Sequence, residues 1–403
     1  MQKLVAYVYV CFIALSLAGC SGKNNIVSGE TKWAHDALEI AAAHAEEMLP
    51  HALDSLKTPR SIDKGFRPAR DWTSGFFPGI LWYLYSYTQE DFWKEQAEKI
   101  TPLLEKEQYN TNDHDVGFRI YCSYGNGWIL TENVVYRKVI IQAANSLATR
   151  FNEKTGTLQS WSVRPKRDWE FPVIVDNMMN LELLLEAAKL SGDERLADIA
   201  VTHARTTMKY HYRENFSCPH VSDYDPVSGE FRKWDWNNGN DDPQNAVWSR
   251  GQSWGLYGFT MMYRETGDKQ YLEFAENIAD FLINHPDMPE DMVPYWDYSG
   301  SKISTVRDAS AAAIMASALM ELSTQSEKGD DYFSAGAKIL KSLASEEYLA
   351  EPGTNGNFLI KHATGNFLKN SEIDGTLIYA DYYFVEGLLR YISITKDNQS
   401  SKN

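Results

Sequence analysis

Two aspartates offer the clearest chemistry in this sequence. Asp176 lies between Phe171-Pro172-Val173-Ile174-Val175 and an apolar run containing Met178, Met179, Leu181, Leu183 and Leu184. A carboxyl in such a setting is either a helix N-cap or a buried acid that holds its proton unusually tightly. The second is what a general acid needs near neutral pH. Asp115, beside His114 and ahead of Gly117-Phe118, is either an ordinary loop aspartate or a second carboxyl for the same site. Two carboxyls at one mouth are the usual equipment for breaking a glycosidic bond. Arg250 and Trp254 are four residues apart, on one face of a helix, either a cation beside a ring that stacks on a sugar or an arginine laid over a core tryptophan. His220 follows Cys218-Pro219 in a loop with Asp223 and Asp225, as a site residue or a structural histidine.

One apparent motif fails on context. Gly251-Gln252-Ser253-Trp254-Gly255 matches the nucleophile elbow of serine hydrolases, which requires an apolar strand immediately before it. The residues before it are Trp236-Asn237-Asn238-Gly239-Asn240-Asp241-Asp242-Pro243-Gln244-Asn245, and those after it continue with helical spacing. A serine esterase is rejected.

Elements able to position these groups are helical. Leu183 to Leu190, then Ser191-Gly192-Asp193, runs into Leu196, Ile199, Ala200 and His203. Met261 to Thr266, then Gly267-Asp268, runs into Tyr271, Phe274, Ala275 and Ile278, and Leu319 to Leu322, then Gly329-Asp330, into Tyr332, Ala335 and Ile339. In each, Gly can close one helix in the left-handed conformation and Asp can cap the next. Around Leu81 to Asp91, Gln89-Glu90 stand in place of the glycine. The apolar spacing of three and four predicts αα-hairpins, about twelve helices between residues 33 and 394. Hairpins that cannot bury both faces alone must stack. An even dozen with long, uneven insertions, notably 212–245 and 286–305, suits a closed all-α (α/α)6 toroid of six hairpins. The insertions then form loops over one mouth, where alternate helices begin at Arg70–Phe77, Asn112–Phe118, Ile174–Asn180 and Trp248–Trp254. A single domain is expected over 31–396, followed by a disordered tail at 397–403.

Composition bounds the partners. Of 403 residues, 12 are Trp and 23 Tyr, material for a large core or for sugar-stacking platforms. A net charge of −16 argues against nucleic acid, which needs a basic face. It leaves room for an acidic sugar, which needs only one or two placed cations. Lys3, the apolar run Leu4–Leu17 and Leu17-Ala18-Gly19-Cys20 read as an export signal over 1–19. The ending resembles a bacterial lipobox, making Cys20 the expected lipidated N-terminus and 20–30 a flexible tether. The protein is therefore expected to be exported and held at a membrane through that lipid alone, facing the periplasm of a Gram-negative bacterium. Cys122 and Cys218 remain in the mature chain, as a pair or as two buried thiols, and no spacing suggests zinc.

Four segments together resemble glycoside hydrolase family 88, the unsaturated glucuronyl hydrolases: His-Asp-x-Gly-Phe at 114–118, Asp-Asn-Met-Met-Asn-Leu at 176–181, Trp-Ser-Arg-Gly-Gln-Ser-Trp-Gly at 248–255, and Ala-Asp-Tyr-Tyr-Phe-Val-Glu at 380–386. The similarity spans roughly 30–394 and implies the (α/α)6 barrel independently of the helix count. It implies Asp176 as general acid and base, Asp115 as its partner, and Trp72, His114, Trp161, His220, Arg250 and Trp254 around the sugar, with no metal or cofactor. The implied reaction hydrates the C4=C5 vinyl ether of a non-reducing-end unsaturated uronic acid, releasing it from lyase-made oligosaccharides. Glycosaminoglycan disaccharides are the first substrates expected, and a plant or bacterial uronide the second. The Ser-x-x-Ser-x-Lys run of some members that accept sulfated fragments is missing from 362–374, which leaves sulfate tolerance open, with Lys369 and Lys361 as available cations. The alternatives are an unsaturated rhamnogalacturonyl hydrolase on the same scaffold and a non-catalytic glycan-binding lipoprotein.

Overall fold

In the computed structural model, residues 29–163, 167–235, 245–299 and 305–400 are described. The expected leader, Cys20 included, lies outside them. The helices are α1 (Lys32–Ser55), α2 (Phe76–Thr88), α3 (Asp91–Ile100), α4 (Val116–Ile120), α5 (Asn126–Thr131), α6 (Val134–Ala148), α7 (Leu181–Ser191), α8 (Glu194–Tyr210), α9 (Ser249–Thr266), α10 (Lys269–Ile283), α11 (Ala309–Ser323), α12 (Gly329–Leu343) and α13 (Ile378–Ser400). A π turn at Tyr121–Gly125 joins α4 to α5, so the two run as one element.

Helices α2, α4–α5, α7, α9, α11 and α13 form an inner ring, each against the next, and α13 returns to α2 to close it. Burial follows from that position: α9 is buried at every residue from Ser249 to Met262, and α11 from Ala309 to Met320. The outer helices bury one stripe only, as Leu196, Ile199, Ala200 and His203 do on α8. This is the (α/α)6 toroid expected from the hairpins.

Two hairpin turns are built as their residues predict. Gly192 and Gly267 close α7 and α9 at φ 76° and 68°, and Asp193 and Asp268 accept from the backbone N–H of Arg195 and Gln270. Gln89 takes the left-handed role at φ 59° between α2 and α3. The α11–α12 hairpin differs. Thr324 ends α11 in a right-handed conformation and Gly329 is the first residue of α12, because residues 324–328 give the chain room to turn. The last helix also continues to Ser400, so 397–400 are helix rather than the disordered tail expected there.

Short strands escape the helical reading. β1 (Thr58–Ser61) pairs with β2 (Gly65–Arg67), and β3 (Phe151–Asn152) with β4 (Thr157–Leu158). At the mouth, β5 (Pro172–Ile174), β6 (Val221–Tyr224) and β7 (Phe231–Asp235) form an antiparallel sheet in the order β5-β6-β7. The 212–245 insertion is thus partly a hairpin clamped to the strand that delivers Asp176. Cys122 and Cys218 are free thiols, so no disulfide joins them.

Candidate active site

Strand β5 feeds directly into a 3₁₀ turn, Val175–Asn180, before α7 begins. Its entry is fixed by three bonds: Ile174 N–H to Ser160 Oγ (2.9 Å), Val175 N–H to the His220 carbonyl (3.3 Å), and Phe171 N–H to Asp223 (2.9 Å). Asp176 is the second residue of that turn and caps nothing. Its Oδ1 is buried and has no hydrogen-bond partner among the described residues. Burial raises its pKa to about 7, with the Arg250 guanidinium pulling in the opposite direction. A carboxyl poised there can give a proton and take one back.

His220 lies with Nε2 4.0 Å from Asp176 Oδ1. Its ring is stacked between Trp248 at 4.5 Å and Trp161 at 5.7 Å. Burial drives its pKa well below the ordinary value, so it is neutral at physiological pH.

Asp115 reaches the mouth at the start of α4. Its N–H donates to Asp113 (3.0 Å), and Asp113 is held by both oxygens on Arg119 at 2.9 Å. His114 is wholly buried with Nε2 3.4 Å from Asp115 Oδ1, and burial lowers its pKa to about 3. Burial also raises Asp115 well above the carboxylate range, reinforced by the charges of Asp113 and Asp176. The two elements are locked together: Phe118 N–H donates to Asn180 Oδ1 at 3.0 Å. A Cβ on Gly117 would lie 2.7 Å from Asn180 Cα, which is why the residue two after Asp115 is glycine. Asp115 and Asp176 keep 17% and 15% of their side chains exposed, an opening for a reactant.

Arg250 is 4% exposed and pairs with the buried Asp308 at 2.7 Å. Its Nη1 also donates to the Thr364 carbonyl (2.6 Å) and Ser310, and its Nη2 to the Gly365 carbonyl (2.7 Å). Of the five guanidinium N–H donors, these leave Nε–H and one on Nη2, the fork that matches a carboxylate. Trp248, Trp296 and Tyr379 pack their rings around the same guanidinium. Trp72 is half-buried, its ring 4.9 Å from that of Tyr379 and 5.4 Å from Phe118.

Trp254 departs from the sequence reading. It is 0% exposed, packed on Phe118 and Tyr383, and Arg250 lies over other rings. A fully enclosed ring has no face for a sugar, so Trp254 forms the floor beneath the site. Of the two readings of that helix face, the core tryptophan is the one seen, because α9 is enclosed on every side. His114 is likewise out of a sugar's reach in this structure and adjoins Asp115 instead. Ser253 donates to the carbonyls of Ser249 and Ala311 inside the core, in keeping with rejection of an esterase. The sequence reading missed Asp308, Trp248, Tyr379 and Asn180. Asp308 was readable only as the cap it also is, accepting from Ser310 N–H at 3.1 Å. Among the described residues, no three His, Cys, Asp or Glu side chains gather as a metal-holding group.

A helical toroid carrying two protonatable carboxyls, a neutral imidazole and aromatic walls at one mouth defines a glycoside hydrolase. The chain belongs to glycosyl hydrolase family 88, whose model matches residues 45–383. It is 46% identical to an unsaturated glucuronyl hydrolase of Formosa agariphila, over 97% of this chain and 98% of the relative. A crystal structure of an unsaturated glucuronyl hydrolase specific for heparin superposes with a TM-score of 0.85 at 44% identity, covering 90% of this chain and 98% of the other. A second, of an unsaturated glucuronyl hydrolase from Bacillus sp. (strain GL1) responsible for glycosaminoglycan degradation, gives 0.81 at 29% identity, covering 90% and 96%. Family and site together make this chain an enzyme rather than a non-catalytic glycan-binding protein.

Proposed function

We propose that this enzyme removes the 4,5-unsaturated uronic acid from the non-reducing end of lyase-made glycosaminoglycan disaccharides. The observation that carries the reading is Asp176, a buried carboxyl with an unpartnered Oδ1 and a pKa of about 7, beside Asp115 and His220. The C4=C5 bond of such a sugar is a vinyl ether through the ring oxygen. Asp176 donates its proton to C4, and positive charge develops at C5 and O5. The resulting carboxylate takes a proton from the water that adds at C5. The product is a hemiketal; its C5–O5 bond opens to a C5 ketone, and C1, left as a hemiacetal, expels the second sugar. Asp115 holds the water, and the Asp176 carboxylate left after proton transfer stabilises the positive charge. The Nε/Nη2 fork of Arg250 receives the uronate carboxylate and the half-buried Trp72 offers its ring to the sugar, while Trp161, stacked on His220 and Trp169, backs His220.

The site's accumulated acids fit this order of events. An anionic substrate entering beside Asp115 and Asp176 keeps both proton affinities high until C4 has been protonated. Similarity to a heparin-specific enzyme and to one degrading glycosaminoglycan supports that class of substrate. The lipobox at Leu17–Cys20 supports export and a lipid anchor on the periplasmic side.

Turnover is followed directly, because the conjugated double bond absorbs in the ultraviolet. The wild type bleaches an unsaturated glycosaminoglycan disaccharide, and Asp176→Asn loses at least about 10³ in kcat while retaining the fold. A variant that keeps more than a tenth of wild-type kcat rules Asp176 out as the proton donor.

A further inference from the structure

The segment from Ala363 to Gly375 leaves the ring after α12 and lies against the mouth. It is a closed hairpin: Ala363 and Gly375 exchange backbone bonds at 2.9 and 2.8 Å, and Asn366 and Ser371 at 2.9 and 3.1 Å. Its carbonyls at Thr364 and Gly365 are the ones that hold Arg250.

Directly across from Gly365 stands Glu372, whose carbonyl accepts the Gly365 N–H at 2.6 Å. Glu372 has a φ of 55°, a left-handed conformation costly for a residue with a Cβ. Its carboxylate is 2% exposed and fully engaged. Arg60 of β1 grips it with Nε and Nη2 at 2.9 and 2.8 Å, and Ser61 Oγ donates at 2.7 Å. The same guanidinium reaches Asp71 at 3.1 Å, and Asp71 also fixes Thr73, on the far side of Trp72. Backbone strain at an enclosed, doubly paired carboxylate marks a position that its surroundings impose.

We propose that Arg60 and Glu372 form a latch that clamps the 363–375 hairpin to the β1–β2 hairpin, so that the Gly365 carbonyl orients Arg250 toward the substrate's uronate carboxylate. Both are positioning residues: neither touches the reacting atoms, and they act on Arg250 through the hairpin that carries the Thr364 and Gly365 carbonyls. The latch rests on the function proposed above, and on Arg250 as the group that reads the carboxylate.

The test compares an unsaturated disaccharide with its uronate methyl ester, in wild type, Glu372→Gln and Arg60→Lys. Glu372→Gln keeps the volume and loses the charge; Arg60→Lys keeps the charge and loses the fork. In either variant, KM for the acid rises about tenfold with kcat within about twofold, while KM for the ester stays within about twofold of wild type. A brace that merely stabilises the fold would move acid and ester together. Equal changes on the two substrates, or no change on either in both variants, overturn the latch. If the wild type has the same KM for acid and ester, the role of Arg250 and the latch fall while the hydrolase reading stands. No loss of ultraviolet absorbance with the wild type overturns both readings.

Discussion

At the scale of single residues, the site depends on burial more than on any one bond. Asp176 is raised to about 7 because water is withheld from it, and Arg250 limits the rise. That proton affinity has a cost in stability. The folded pKa lies above the unfolded value, so the contribution of Asp176 is intact below about pH 4 and is lost as pH rises through about 7. Asp176→Asn carries no such penalty. Urea unfolding is expected to find the Asn variant more stable than wild type, with a gain about 2 kcal/mol larger at pH 8 than at pH 5. A gain independent of pH would mean that Asp176 titrates normally in the fold. Acidity and stability are thus traded at the residue that needs its proton.

At the scale of elements, the turn that carries Asp176 is held by close packing of backbones. Gly258 of α9 faces Met178 in that turn, and a Cβ there would lie 2.5 Å from Met178 Cβ and 3.3 Å from its carbonyl carbon. Gly258→Ala should therefore cost about 1–3 kcal/mol and lower kcat, because only a shift of the turn carrying Asp176 makes room. Thermal unfolding and the ultraviolet assay on the same sample check both effects; unchanged kcat would show that the turn is free to move. Glycine spacing along α9 also explains why a nucleophile-elbow pattern occurs here without an elbow. The helices were legible in the sequence because their apolar spacing persists over ten residues or more. The strands at the mouth were not, since β5 has three residues and finds its partner 49 positions later, Val173 opposite Ser222. The burial of Asp176 was one of two readings its apolar neighbours left open, and Asp115 stood out only through the family resemblance. The Arg250–Trp254 spacing left two readings open, because periodicity reports a face but not whether that face meets solvent. The Arg60–Glu372 pair, 312 positions apart, leaves no local trace at all.

At the scale of the whole molecule, ring closure does the organising. Each inner helix begins at the same rim, so residues from 72 to 379 in the chain meet at one mouth. A net charge of −16 with an acidic sugar as substrate places the recognition burden on a few cations, Arg250 foremost. Among the described residues no helix is long and apolar enough to cross a membrane, and the lipid anchor proposed at Cys20 is tested on its own. Cys20→Ala is expected to move the protein from the membrane to the soluble exported fraction with unchanged kcat, as fractionation and the ultraviolet assay would show. Continued membrane retention would locate the anchor elsewhere.

The central claim is that Asp176 protonates C4 of a vinyl ether instead of an acetal oxygen. Running the reaction in heavy water and examining the released uronic acid by NMR tests it most directly. The expected result is one solvent deuterium on a single face of C4 in product sampled over the first turnovers, and no cleavage of the disaccharide whose C4=C5 bond has been saturated. Deuterium spread over both faces of C4 in those first turnovers, as when a released enol takes it up in solution, or equal cleavage of the saturated disaccharide, would contradict it and indicate ordinary acetal hydrolysis at the same two aspartates.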